Sequence, residues 1–226
     1  MSDFRVVAAG DSAVIVELPP SIDPITSGRV LALARAIEQR HGSLVRDLVV
    51  GYCSLTVYFD PIEVDAEWLE AAVQAAAGEI GEAPNVEGAI VDVPVCYGGE
   101  LGPDLDDVAR AAGCSAGDVV ALHTGTIYRV YLVGFVPGFP YMASVDPRLA
   151  LPRRPSPRQK VPAGSVAIAA GQTGIYPAET PGGWHLIGRT PVKPYDPSRV
   201  QPFLFRAGDR VRFYPIELAA FHAWPR

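Results

Sequence analysis

Residues able to hold or polarise a ligand are concentrated between Gly134 and Pro191. Gly134-Phe-Val-Pro-Gly-Phe-Pro-Tyr141 sets Phe135, Phe139 and Tyr141 on a backbone that prolines restrict and glycines let turn sharply. Such rings either grip a ligand or plug one end of a β-structure, and residue type alone leaves both open. Next, Arg153, Arg154, Arg158 and Lys160 crowd eight positions of a proline-extended stretch. They repel one another unless an anion lies nearby, and arginine forks suit carboxylate or phosphate; a solvated basic loop is the plain alternative. Gly171 to Pro191 then adds glycines whose amides can approach an anion, with Gln172, Thr173, Tyr176, Thr180, His185 and Arg189 as polar ends. Turns and close strand packing would also explain those glycines.

This segment differs electrically from the rest of the chain. From Arg148 to Lys193 there are seven cations against Glu179 alone, on a 226-residue protein of net charge -6. A local basic surface on an acidic protein suits an anionic ligand or acidic partner and argues against nonspecific nucleic-acid binding, which needs a broad basic face. No apolar run approaches the roughly 20 residues of a membrane span, and the first residues do not read as a secretion signal, so no membrane association and a cytoplasmic location are expected. Cys53, Cys96 and Cys114 are far apart, so neither a disulfide framework nor a metal site is expected. No Gly-x-x-x-x-Gly-Lys-Ser/Thr loop occurs, and no serine-hydrolase elbow is expected, which disfavours a solitary hydrolase.

The elements that must position these residues read as two domains. Phe4 to Leu18 alternates in two strands around Gly10-Asp11, a hairpin turn pair. Asp23 and Pro24 open a helix with Val30, Leu33, Ala34 and Ile37 on one face; Val45 to Phe59 gives two more strands, and Asp65 opens a second helix. Helices on one face of a mostly antiparallel sheet make an α+β N-terminal domain, residues 1–85, with the boundary at the Pro84-Asn85 turn signal. A mainly-β domain, residues 86–226, follows. Ala89 to Tyr97 reads as a strand, Asp104 to Ala112 and Ser115 to His123 as short helices. Tyr128 to Val133, Val166 to Ala169, His185 to Ile187, Phe203 to Phe205 and Val211 to Tyr214 read as short strands of a barrel or sandwich carrying long Pro/Gly loops.

The wording GFVPGFPYM, PRRPSPRQKVPAGSVAI and QTGIYPAETPGGWHLIGRTP resembles, in order, the hallmark text of the family of 5-oxoprolinase B-type subunits, related to the sporulation-kinase inhibitor and to allophanate hydrolase subunit 1. The resemblance implies a cyclophilin-like barrel, a tight complex with a homologous C-type subunit of 5-oxoprolinase, looser action with an A-type one, and conversion of 5-oxo-L-proline to L-glutamate with ATP as co-substrate. Under it, Arg158 or Arg189 is expected to clamp the substrate carboxylate, with Gln172, Tyr176, Thr180, Phe139 and Tyr141 around the substrate. Lys160 would stabilise phosphoryl charge, and His185 or His123 would move a proton, although a helix-end histidine often only complements the dipole. As a surface clamp, Arg158 is expected to contribute little to folding. The same motifs also fit a regulatory binder that grips a kinase through Phe139 and its neighbours, or a component of a urea carboxylase or allophanate-hydrolase-type enzyme.

Overall fold

A computed structural model describes residues 3–81 and 88–225, which belong to two compact units; the expected boundary at residues 85 and 86 lies outside the described residues. In the first unit, β1 (Arg5–Ala8) turns through Gly10, whose φ of 73° suits glycine, into β2 (Ala13–Glu17). Helix α1 (Pro24–His41) begins where the Asp23 carboxylate accepts from the Ile25 and Thr26 amides at 2.9 Å. Strands β3 (Val45–Val50) and β4 (Ser54–Phe59) follow, and Asp65 caps α2 (Ala66–Glu79). The antiparallel sheet runs β1-β2-β4-β3. Strand alternation puts Val14, Val16, Leu55, Val57 and Phe59 in one core with Val30, Leu33 and Ile37 of α1 and Leu69, Val73 and Ala76 of α2.

The second unit opens with β5 (Ile90–Tyr97), α3 (Leu105–Ala112) and α4 (Ala116–Thr124). After them come β6 (Ile127–Val133), β7 (Pro140–Ala143), β8 (Arg158–Val161), β9 (Ser165–Ala169), β10 (Gln172–Ile175), β11 (Thr180–Gly182), β12 (His185–Arg189), β13 (Arg210–Pro215) and α5 (Leu218–His222). Seven of these strands close into a barrel in the order β10-β7-β6-β13-β5-β12-β9, with β13 parallel to β5, while β8 and β11 form a separate ribbon. Val93, Val95, Val130, Met142, Val166, Ile168, Ile187, Val211 and Phe213 fill the core, and Leu105, Val108 and Val119 of the helices pack on it.

Two expectations change here. Stretches read as long Pro/Gly loops contain β7, β8, β10 and β11. Pro140 is tolerated as the first residue of its strand, and Gly174 leaves room for a ring, since a Cβ there would lie 2.7 Å from Phe139 Cζ. Phe203 to Phe205 is not a strand. Pro202 has no amide to donate, Phe203 makes a single bridge to Tyr195, and Phe205 is buried as a core residue.

His123, near the end of α4, is fully buried, its ring 4.6 Å from that of Phe213 and 5.3 Å from that of Tyr128. The Thr173 hydroxyl donates to the Ala167 carbonyl at 3.1 Å, so His123 Nε2–H donates to Thr173 Oγ1 at 2.9 Å and Nδ1 accepts from the Tyr97 hydroxyl at 2.8 Å. A neutral ring thus satisfies the cluster, and burial pushes the imidazole pKa down to about 3. The expected roles of His123 as proton carrier or charged complement to the helix dipole are corrected: the ring has neither solvent access nor charge near neutral pH.

The unfolded histidine titrates at roughly 6.5, so between that pH and the lower folded value the unfolded chain binds a proton that the folded chain refuses. Stability from this group is complete above the unfolded value and falls with decreasing pH, approaching about 1.4 kcal/mol per pH unit. Urea unfolding between pH 6.5 and 5, above most carboxylate titration, is expected to show this added slope in the wild type and not in His123→Gln. Equal slopes would contradict a neutral buried ring.

Candidate functional site

The basic stretch finds its anion inside the protein. Asp104, just before α3, is 2% exposed; its carboxylate accepts from Arg158 Nη1 and Nη2 at 2.9 and 2.7 Å, Arg154 Nη1 at 2.9 Å, and the Leu186 amide at 2.7 Å. Burial raises the Asp104 carboxyl pKa, but the Arg158 and Leu186 hydrogen bonds and the charges of Arg158 and Arg154 outweigh it and hold the group below the ordinary carboxylate value. Two more ties join this stretch to β12 and the turn before it: the Arg154 amide donates to the Gly183 carbonyl, and His185 Nε2 to the Pro152 carbonyl, both at 2.8 Å. Lys160 lies exposed, 3.5 Å from Glu179.

Beside the pinned stretch, four aromatic rings gather around a fifth, that of Phe139, which is 2% exposed. Its ring centroid lies 4.7 Å from Tyr141, 5.1 Å from Tyr176, 5.5 Å from Trp184 and 6.0 Å from Phe135, the last three edge-on. Gly182 makes room for Tyr176, whose Oη would be 2.3 Å from any Cβ at that position. These residues line a cavity of about 300 Å³ with Arg153 at its exposed edge. Phe135 is 63% exposed with a φ of 65°, a left-handed conformation that a bulky residue holds only under constraint.

The cavity can stack a small ring, presents tyrosine hydroxyls and can neutralise one negative charge. Burial pushes the Tyr141 and Tyr176 hydroxyls up, against a smaller lowering by Arg153 on Tyr141 and by the Trp184 backbone hydrogen bond and then Arg153 on Tyr176, so both remain protonated. Arg153 is paired with no carboxylate among the described residues. No described lining residue is poised to take a proton near neutral pH.

Of the expected site residues, the structure brings together Phe139, Tyr141 and Tyr176. Arg158 is bonded to Asp104 and does not line the cavity, so its expected small part in folding becomes a matter for measurement. Gln172 and Thr180 lie in β10 and β11, outside the cavity lining, and His185 and Lys160 are outside it as well. Arg189 lines a different cleft. Nothing in the sequence singles out Arg153 or Trp184; four clustered cations carry no mark of which one lacks an acid, because the acid comes from Asp104, 50 residues before Arg154. Gly113-Cys-Ser-Ala-Gly117 does spell Gly-x-Ser-x-Gly, contrary to expectation. It lies between two helices rather than after a strand, and the Ser115 hydroxyl donates to Asp118 at 2.6 Å within a capping box, so it serves as a helix cap. Among the described residues no cluster of His, Cys, Asp and Glu could hold a metal, and no helix is long and apolar enough to cross a membrane.

Residues 4–205 match the family described as carboxyltransferase domain, subdomain C and D. The B-type subunit of the 5-oxoprolinase of Bacillus subtilis (strain 168) is 40% identical over 231 residues, covering 98% of this chain and 96% of that protein. The chain belongs to the family of 5-oxoprolinase B-type subunits. The crystal structure of TTHA0988 aligns with 91% of this chain at 40% identity and a TM-score of 0.80, and this chain spans 40% of that longer chain. The K. lactis urea amidolyase shares the fold, with a TM-score of 0.81 over 97% of this chain and 15% of its own length at 22% identity. In this member of the 5-oxoprolinase B-type family, the three motifs converge on the Asp104 cluster and the aromatic cavity.

Removing one side of a buried charge cluster leaves the other uncompensated. Asp104→Ala is expected to destabilise the protein by about 3 kcal/mol or more and Arg158→Ala by about 2 kcal/mol in denaturant unfolding, while Arg153→Ala leaves the midpoint in place. Equal midpoints for Arg158→Ala and Arg153→Ala would restore the surface-clamp reading of Arg158.

Proposed function

We propose that this chain is the B-type component of an ATP-dependent 5-oxoprolinase that acts in the cytoplasm with A-type and C-type partners to convert 5-oxo-L-proline to L-glutamate, and that its barrel is of the cyclophilin-like type. The observation that carries the reading is the aromatic cavity with Arg153 at its edge. A five-membered lactam has apolar ring faces, an amide and one carboxylate, matching ring faces, hydroxyl donors and a guanidinium fork. The lactam bond takes up water to give the open-chain amine and a second carboxylate; amide resonance makes the carbonyl a poor electrophile, so the opening draws on ATP. This chain's share is to bind and orient. In this reading the reactive groups come from the partner proteins, the C-type one held tightly and the A-type one more loosely; the described lining itself offers no proton acceptor.

Phe135 supports a second reading. An exposed aromatic on a constrained loop is a fit anchor for a protein partner, and in a regulatory binder it, rather than the buried Phe139, would make the contact.

Purified A-, B- and C-type proteins supplied with 5-oxo-L-proline and ATP are expected to release glutamate. Arg153→Ala should raise KM for 5-oxoproline at least tenfold with the melting temperature unchanged, and Trp184→Leu should do the same with some loss of stability. No glutamate from the three folded proteins would sink the function; an unchanged KM in Arg153→Ala would remove the substrate from this cavity.

A further inference from the structure

A second cleft, of about 360 Å³, shares no lining residue with the aromatic cavity. One wall is the end of β12 and the segment after it, with Arg189, Lys193 and Arg199; another is α5 and the residues after it, with Phe221 and Trp224. Asp196 is its one acid among the described lining residues, on a protein whose net charge is -6. Nor does Asp196 hold those cations tightly. Lys193 Nζ lies 3.6 Å and Arg199 Nε 3.8 Å from it, beyond the roughly 2.7–2.9 Å of a charge-assisted hydrogen bond, and its Oδ1 accepts instead from Ser198 Oγ at 2.6 Å. Arg189 is oriented without being neutralised: its Nε donates to the Ala163 carbonyl at 2.6 Å, and it forms no ion pair among the described residues.

We propose that this cleft binds a nucleoside di- or triphosphate, its phosphates on Arg189, Lys193 and Arg199 and its base against Trp224 and Phe221. Three weakly held cations exceed what one carboxylate needs and match a phosphate chain, while the two aromatics supply flat apolar area that an inorganic anion would not use. Such a site would do without the Gly-x-x-x-x-Gly-Lys-Ser/Thr loop that the sequence lacks. The proposal rests on the ATP-dependent reading only for the biological source of the nucleotide.

Titration of the full-length chain with ATP, inorganic phosphate and adenosine, followed by calorimetry, tests it. ATP is expected to bind at least tenfold more tightly than either fragment and less tightly as salt rises, with Lys193→Ala and Trp224→Leu each weakening it about tenfold. No ATP binding, ATP binding indifferent to both variants, or phosphate bound as tightly as ATP would overturn the site. The two readings fail separately. If this chain binds ATP in a reconstituted complex that makes no glutamate, the site stands and the function falls; glutamate made by a complex in which this chain binds no ATP does the reverse.

Discussion

One buried carboxylate organises the surface of the second unit. Asp104 gathers two arginines and a backbone amide drawn from positions 50, 54 and 82 residues further along the chain. Taking a carboxylate out of water is unfavourable by several kcal/mol, and it is tolerated because its oxygens meet four donors in good geometry. What those bonds accomplish is placement: the extended stretch before β8 is tied to β12, the β8–β11 ribbon is held in place, and Arg153 is left as the cation at the mouth of the aromatic cavity. The helix gives up something in return, since the Asp104 side chain makes no capping bond to α3.

The basic segment therefore divides by what each cation faces. Arg154 and Arg158 are internal, Lys160 lies near Glu179, and Arg148 is bonded to Asp146. Arg153 lies at the edge of one cavity, while Arg189 and Lys193, with Arg199 just beyond the segment, line another cleft. The two sites differ in make-up: one arginine beside five aromatic rings, and three cations beside two.

Much of the fold was legible in the sequence because local rules decide it. Asp23-Pro24, Asp65 and Ser115 mark helix starts that the structure caps as expected, and the alternation of Val14, Val16, Leu55 and Val57 fixes which face of the first sheet is buried. The strands through Pro140, Gly174 and Gly182 were hidden because proline and glycine there serve ring packing and strand starts rather than turns. The site was legible as a region and not as a set of roles. Phe139, Tyr141 and Tyr176 do meet, but the pairing of Arg158 and the burial of His123 depend on residues brought together by barrel closure, and no spacing along the chain encodes them.

Asp104 holds the basic stretch against β12 and so shapes the cavity. Hydrogen–deuterium exchange on Asp104→Asn tests it most directly, because an amide keeps the size of the side chain while losing the charge that two arginines share. Faster exchange is expected at Arg154, Leu186 and the β8–β11 ribbon, with β6, β13 and the first unit unchanged. Wild-type protection across the ribbon and at Arg154 in that variant would contradict it.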